Sequence, residues 1–270
     1  MKHLLNISQG WQDRMRKYAL MLFLDYDGTL TPIVKFPDKA KLSSGMKKIL
    51  ETLLTLDEVR LAIVSGRSLE QVKAFVGIPE ATYVGSYGLE VEGPDIKYIH
   101  PGAVSGAKLM GDIADRLKSA FDKSSGVIIE DKTYTVSIHY RLAKEENLEK
   151  NWRLLLKILF PYLEEFLILL SQGKKVWEIR PAVEWNKASA MLWLAGHFSE
   201  SLPKRPLSMY IGDDKADEAC FAIMGISGFG VRVTENPLEP TDADYYLRNT
   251  DELYEFLKIV IELKSKNGRP

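Results

Sequence analysis

The sequence has one cysteine, Cys220, and four histidines, His3, His100, His139 and His197, in 270 residues. A single cysteine makes an intramolecular disulfide impossible, and this sparse set of His and Cys does not make a structural zinc site. The cysteine usage allows a reducing, cytoplasmic location, which is the expectation. An excess of charge of either sign is also missing. Lys and Arg number 36 against 37 Asp and Glu, a net charge of −1, so the charge balance calls for neither nucleic acid nor an anionic membrane as a partner. Long apolar runs are scarce. Ala19–Leu24 is too short for a secretory h-region and runs straight into acidic residues. Trp152–Leu170 is rich in leucine but is broken by Arg153, Lys157, Pro161, Glu164 and Glu165. A membrane span needs about 20 predominantly apolar residues, so this stretch reads as a helix with one buried face running into a strand. No internal repeat and no low-complexity tract stands out.

What remains is an ordinary globular composition, 46% hydrophobic and 27% charged, with enough apolar surface for a sizeable core. The first third alternates strand and helix. Tyr18–Leu24 is a continuous apolar run, as in a strand covered on both faces. Ser43–Leu56 has helical spacing with a serine positioned to cap it. Arg60–Val64 is a second apolar run, Leu69–Val76 a second helix and Tyr83–Val84 a short third strand. Such alternation predicts an α/β doubly wound sheet. The middle reads differently. Lys108–Phe121 and Lys144–Phe160 have helical spacing. Val127–Glu130 and Thr133–Tyr140 read as strands, and Phe166–Leu170 with Val176–Arg180 as a hairpin turning at Ser171-Gln172-Gly173. That order predicts a small α+β domain. The last third returns to the first style, with helices at Lys187–Ala195, Ala216–Met224 and Leu253–Leu263 and strands at Ser208–Ile211 and Phe229–Val233. The parse is a discontinuous core, residues 1–101 and 182–270, interrupted by an inserted domain, residues 102–181.

Four segments carry chemistry. Asp25-Tyr26-Asp27-Gly28-Thr29 puts two carboxylates two residues apart at the end of a buried strand, where open α/β sheets bind their ligands. Like charges so close need a cation, a shared proton, or both. Gly212-Asp213-Asp214-Lys215-Ala216-Asp217 is a second acidic cluster, also after an apolar strand. Oxygen-only ligands at strand ends suit Mg²⁺ rather than zinc. Ser65-Gly66-Arg67 follows a third strand, where a hydroxyl and free backbone N–H groups can meet an anion, although taken singly the serine reads as a helix cap. Lys187 opens a helix, a position unfavourable for a cation beside the helix dipole; that suggests a phosphate contact, with an ordinary surface lysine as the default reading.

In this order the four segments resemble the haloacid dehalogenase (HAD) superfamily of phosphatases and, within it, the trehalose-6-phosphate phosphatases. The finer match rests on Asp25-Tyr26-Asp27-Gly28-Thr29-Leu30-Thr31-Pro32-Ile33, Gly85-Ser86-Tyr87-Gly88-Leu89-Glu90, His139-Tyr140-Arg141, Glu178-Ile179-Arg180-Pro181 and Gly212–Glu218. It departs from the usual family residue at Tyr87, Ala188 and Ala216. The resemblance implies an α/β fold, a HAD-like Rossmannoid parallel-sheet core with an inserted α+β cap domain. It implies hydrolysis of trehalose 6-phosphate through an aspartyl-phosphate, with Asp25 as nucleophile and Asp27 as general acid and base. Ser65 and Lys187 would hold the phosphoryl oxygens. Mg²⁺ would be held by Asp25, Asp27 through its carbonyl, and Asp213, with Asp214 or Asp217 in support. Arg67, Glu130, Lys132, Arg141 and Glu178 would bind substrate. The implied partners are a small-molecule sugar phosphate and a trehalose-6-phosphate synthase. A phosphatase for sucrose phosphate, mannosyl-3-phosphoglycerate or glucosylglycerol phosphate would share the same core, and a non-catalytic sugar-phosphate-binding module is the alternative from another class.

Overall fold

The computed structural model describes residues 1–6, 10–34, 37–225 and 228–265. The chain divides into two compact units, Met1–Tyr98 with Trp185–Pro270, and Ile99–Glu184. The first carries β1 (Lys2–His3), α1 (Gly10–Lys17), β2 (Ala19–Asp25), α2 (Ser44–Leu54), β3 (Val59–Val64), α3 (Leu69–Val76), β4 (Thr82–Gly85), β5 (Glu90–Gly93) and β6 (Ile96–Ile99). The second carries α4 (Pro101–Ala120), β7 (Ile128–Asp131), β8 (Val136–His139), α5 (Glu145–Glu164), β9 (Ile168–Gly173) and β10 (Val176–Pro181). The chain then returns to the first unit with α6 (Lys187–Glu200), β11 (Pro206–Gly212), α7 (Glu218–Met224), β12 (Gly228–Val233), β13 (Tyr245–Leu247) and α8 (Thr250–Ser265).

The strands of the first unit lie in the order β1-β13-β12-β11-β2-β3-β4-β5-β6. From β1 to β4 every neighbouring pair is parallel, and β5 returns antiparallel beside β4. All seven residues of β2 are buried, because its alternating side chains enter two cores. Leu20, Leu22 and Leu24 pack with residues of α1, α2, α3 and α8, while Met21 and Phe23 pack with those of α6 and α7. Local signals place these helices. Ser43 caps α2 by accepting the Met46 N–H, and Ser68 caps α3 by accepting the Gln71 N–H. Gly77 ends α3 in a left-handed conformation at φ +63°, which glycine adopts without steric cost. The winding reverses at β2. The chain runs outward through β3 and β4 on one side and returns through β11 on the other. The crevice beyond the carboxyl ends of β2 and β11 is thus the topological switch point, where doubly wound sheets take their ligands.

The second unit is a four-stranded antiparallel sheet, β7-β8-β10-β9. Its apolar face, including Val136, Ile138, Trp177 and Ile179, packs against Met110, Ile113 and Leu117 of α4 and Leu155 and Leu159 of α5. On the opposite face Glu130, Ser137 and Glu178 stand in register across three strands.

Several boundaries differ from the sequence expectation. The hairpin turn is at Lys174–Lys175, with Lys175 left-handed at φ +66°. Ser171, Gln172 and Gly173 instead pair with Glu178, Trp177 and Val176. Helix α5 continues through Pro161 for a last turn, in which the Glu165 N–H reaches the Pro161 carbonyl. Helix α4 starts at Pro101, whose fixed φ suits a first helical turn. Among the described residues, no helix is long and apolar enough to cross a membrane.

Candidate active site

Strand β2 delivers Asp25 to the switch point, and the loop after it folds tightly. The N–H groups of Leu30 and Thr31 both donate to the Tyr26 carbonyl, and Gly28 N–H donates to the Thr31 carbonyl at 2.7 Å. Tyr26 turns inward, fully buried, and its hydroxyl donates to the Ala40 carbonyl at 2.7 Å. Asp25 and Asp27 are left on the other side. Gly28 sits at φ +90°, and a Cβ there would fall 2.0 Å from Asp213 Oδ2. Only glycine lets the two acidic loops approach so closely.

Strand β11 delivers Asp213, and the following turn brings Asp217 back beneath it. Asp217 is fully buried. Its Oδ2 accepts the N–H groups of Asp213 at 3.1 Å and Asp214 at 3.0 Å. Its Oδ1 accepts from the Tyr210 hydroxyl at 2.6 Å and from Lys187 Nζ at 2.8 Å. Lys187 also donates to Asp25 Oδ1 at 2.7 Å. The cation at the start of α6 is therefore held by two carboxylates of the sheet edge, which offsets its unfavourable place in the helix dipole. Asn186 caps the helix by accepting the Ala188 and Ser189 N–H groups.

The electrostatics follow from burial. Desolvation raises the Asp25 carboxyl well above its ordinary range, Lys187 works against this, and Asp217 and Asp213 add to it. For Lys187, burial alone would favour loss of the proton. The facing carboxylates of Asp217 and Asp25 outweigh it and hold the ammonium well above its ordinary value. Burial, with Asp217 beside it, likewise keeps the Tyr210 phenol protonated. One oxygen from each of Asp25, Asp213 and Asp217 lies within 4.8 Å of the others, and all three residues are buried. This hard, oxygen-only donor set fits a small divalent cation such as Mg²⁺.

Ser65 and Arg67 belong to the same unit as these carboxylates. Ser65 follows β3, is buried, and its Oγ accepts the Arg67 N–H at 3.1 Å. Arg67 forks onto Asp27, with Nε to Oδ2 at 2.7 Å and a terminal nitrogen to Oδ1 at 2.6 Å. Its guanidinium lies 4.7 Å from the centroid of the Phe75 ring. Asp214, expected at the metal, stands outside the three-carboxylate group, and its side chain accepts the Lys215 N–H to open the turn Lys215–Asp217. In the second unit, Glu130 Oε2 meets His139 Nε2 at 2.8 Å. Lys132 and Glu178 are both buried and paired at 3.7 Å, and Ser137 Oγ donates to Glu178 at 2.7 Å. Arg141 donates to the Lys174 carbonyl at 3.1 Å.

Sequence reasoning missed Tyr210, which lies inside an apolar strand with no signal of its own, and the Ser137 contact with Glu178, which only strand register creates. It weighed Asp217 merely as an alternative to Asp214. It gave no role to the turn Ser86–Gly88, where Ser86 at φ +49° and Tyr87 at φ +58° both adopt the left-handed region, at about 1–2 kcal/mol each.

Residues 23–251 match the trehalose-phosphatase family. A probable trehalose-phosphate phosphatase I of Arabidopsis thaliana is 33% identical over 267 residues, covering 94% of this chain and 70% of the relative. The C-terminal domain of a C. albicans trehalose-6-phosphate phosphatase superposes with a TM-score of 0.76 at 22% identity, over 95% of this chain and 97% of that one. The likeness of fold extends to a haloacid dehalogenase-like hydrolase from B. subtilis, with a TM-score of 0.56 at 16% identity over 88% of this chain and 98% of the other. With the matched segment running from β2 to the start of α8 and including both acidic loops, this chain belongs to the trehalose-phosphatase family.

Proposed function

We propose that this phosphoric monoester hydrolase converts trehalose 6-phosphate and water to trehalose and phosphate through an aspartyl-phosphate on Asp25. The observation that carries the reading is Lys187 bridging Asp25 and Asp217 beside Asp213 at the sheet's switch point, in a chain of this family. Asp25 forms a bond from a carboxylate oxygen to phosphorus as the bond from phosphorus to the sugar oxygen breaks. Asp27 gives its proton to that leaving oxygen. Water then attacks phosphorus, Asp27 takes the water's proton, and the bond to Asp25 breaks. The fork to Arg67 fixes the orientation of Asp27 for both transfers. Ser65 and Lys187 donate to the phosphoryl oxygens and stabilise the charge that spreads over them.

Mg²⁺ would be held by Asp25, Asp213 and the Asp27 carbonyl, and when bound it offsets repulsion between the nucleophile and the phosphoryl oxygens. Asp217 supports it indirectly. Its two oxygens already accept four hydrogen bonds, which fills a carboxylate's capacity. The polar sheet face of the second unit, with Glu130, Lys132, Arg141 and Glu178, is the sugar-recognition surface in this reading. Its mixed acceptors and donors suit a polyhydroxyl ligand.

Phosphate release from a panel of sugar phosphates tests the proposal. Trehalose 6-phosphate should be preferred, EDTA should abolish turnover and Mg²⁺ restore it. Asp25→Asn should be folded and inactive. A variant that kept a tenth of the wild-type kcat, a loss of only about 1.4 kcal/mol, would exclude covalent catalysis at Asp25. Full turnover by metal-free protein would exclude the metal.

A further inference from the structure

Tyr87 holds a left-handed backbone at φ +58°, ψ +30°, directly after Ser86 at φ +49°. Strain in two consecutive residues persists only where the surroundings impose it, and it concentrates at ligand sites. Here it is imposed from several directions. Ser86 N–H donates to the Arg67 carbonyl at 2.6 Å and Tyr87 N–H to the Ser65 carbonyl at 3.2 Å. Ser86 Oγ donates to Glu90 Oε2 at 2.6 Å. On the far side, the Trp185 indole N–H donates to the Gly88 carbonyl at 2.7 Å, and a Cβ on Gly88 would stand 2.6 Å from the Asn186 carbonyl oxygen. The turn is therefore wedged between the loop that carries Ser65 and the helix start that carries Lys187.

What this strain positions is a phenol. A Cβ at Gly66 would fall 2.6 Å from Tyr87 Cζ and 2.8 Å from its Oη. The tip of the Tyr87 ring takes the space that a side chain at residue 66 would use. Among the described residues, Tyr87 is not one of those in the two hydrophobic clusters of this unit, and it is half-buried while Ser86 and Gly88 are buried. The strained turn thus sets a hydroxyl against the loop that carries Ser65 and Arg67.

We propose that Tyr87 is a substrate-binding residue of the phosphoryl site, its Oη donating a hydrogen bond to a phosphoryl oxygen held by Ser65 and Lys187. The inference rests on the phosphatase reading of this site. A phenol is protonated at neutral pH and can donate, and a hydrogen bond to an anionic oxygen is stronger than one between neutral groups. The contact is made to phosphate and not to sugar, so it acts on every phosphomonoester alike.

The test is Tyr87→Phe, which keeps the ring and removes only Oη, in the full chain. Its affinity for inorganic phosphate, measured by calorimetry and by product inhibition, should weaken about tenfold to a hundredfold. Its kcat/KM should fall by a similar factor on trehalose 6-phosphate and on p-nitrophenyl phosphate, with its melting temperature unchanged. Tyr87→Asn, which accepts the left-handed backbone more readily, should show the same loss of phosphate affinity. Wild-type phosphate affinity in Tyr87→Phe overturns the proposal, as does a loss confined to the disaccharide phosphate. A lowered melting temperature with phosphate affinity intact would make Tyr87 structural and overturns it too. Wild-type protein that neither hydrolyses a phosphomonoester nor binds phosphate overturns the phosphatase reading itself, and this proposal with it.

Discussion

Asp217 is the most consequential buried residue of the sheet edge, and Asp217→Asn measures how much it carries. Its Oδ1 receives Lys187 and Tyr210 and its Oδ2 receives two backbone N–H groups. An asparagine has one acceptor oxygen and one NH₂ group, so in either orientation a donor faces two donors. The substitution also takes one of two counter-charges from Lys187, a residue only 4% exposed. Removing one partner of a buried ion pair costs about 3–5 kcal/mol. For a unit of this size, 1 kcal/mol lowers Tm by about 2–4 °C, so the expected fall is about 6–20 °C. The control is Asp214→Asn, one turn away. Asp214 is the opening residue of its turn and accepts the Lys215 N–H. Asparagine performs that task about as well as aspartate, so the control should stay within about 0.5 kcal/mol of wild type. Calorimetric melts of both variants, with Mg²⁺ binding by titration calorimetry, decide the matter. Asp214→Asn should bind Mg²⁺ like wild type, while Asp213→Asn should bind it far more weakly. If Asp217→Asn melted no lower than Asp214→Asn, the hub reasoning would be refuted.

Three further outcomes follow from other contacts. Arg67→Lys keeps the charge and loses the fork onto Asp27, so kcat should fall about tenfold to a hundredfold with KM little changed; a raised KM with unchanged kcat would instead make Arg67 a substrate ligand. Lys132→Met leaves Glu178 buried without its ammonium partner and should destabilise the second unit by about 3–5 kcal/mol, whereas the double variant Lys132→Met/Glu178→Gln should lose much less; equal losses in urea melts would show that the pair does not interact. Burial works to raise the Glu58 carboxyl, but Lys204 and Lys264 outweigh it and hold the group below its ordinary 4.5. Its stabilisation is therefore fully present above about pH 4.5 and lost as pH falls through the lower folded value; Glu58→Gln should flatten that limb of the stability profile, and an unchanged limb would rule Glu58 out as its source.

Much of this architecture was legible in the residues. β2 was visible as a strand because both of its faces are buried, which leaves an uninterrupted apolar run. Helices α2 and α3 were visible because their buried residues recur at helical spacing, α2 with a serine positioned to cap it. Strands β1 and β13, of two and three residues, are too short for any periodicity to register. The hairpin was misplaced because Ser-Gln-Gly has turn composition, while the turn that formed uses two lysines, one of them left-handed.

The sequence by itself determined the chemical inventory: two acidic loops after apolar strands, a hydroxyl at Ser65 and a cation at Lys187. Their spacing along the chain carries no distance between them. Only the parallel register of β2 with β11, which sets Leu24 beside Ile211, brings Asp25 and Asp213 to one edge. Only burial decided that Lys187 spans Asp25 and Asp217, since an ammonium removed from water must find carboxylates. The division of labour between Asp214 and Asp217 was likewise open in sequence, because both lie in one acidic run. In the turn Lys215–Asp217 the Asp214 side chain accepts the Lys215 N–H, whereas Asp217 accepts the N–H groups of Asp213 and Asp214.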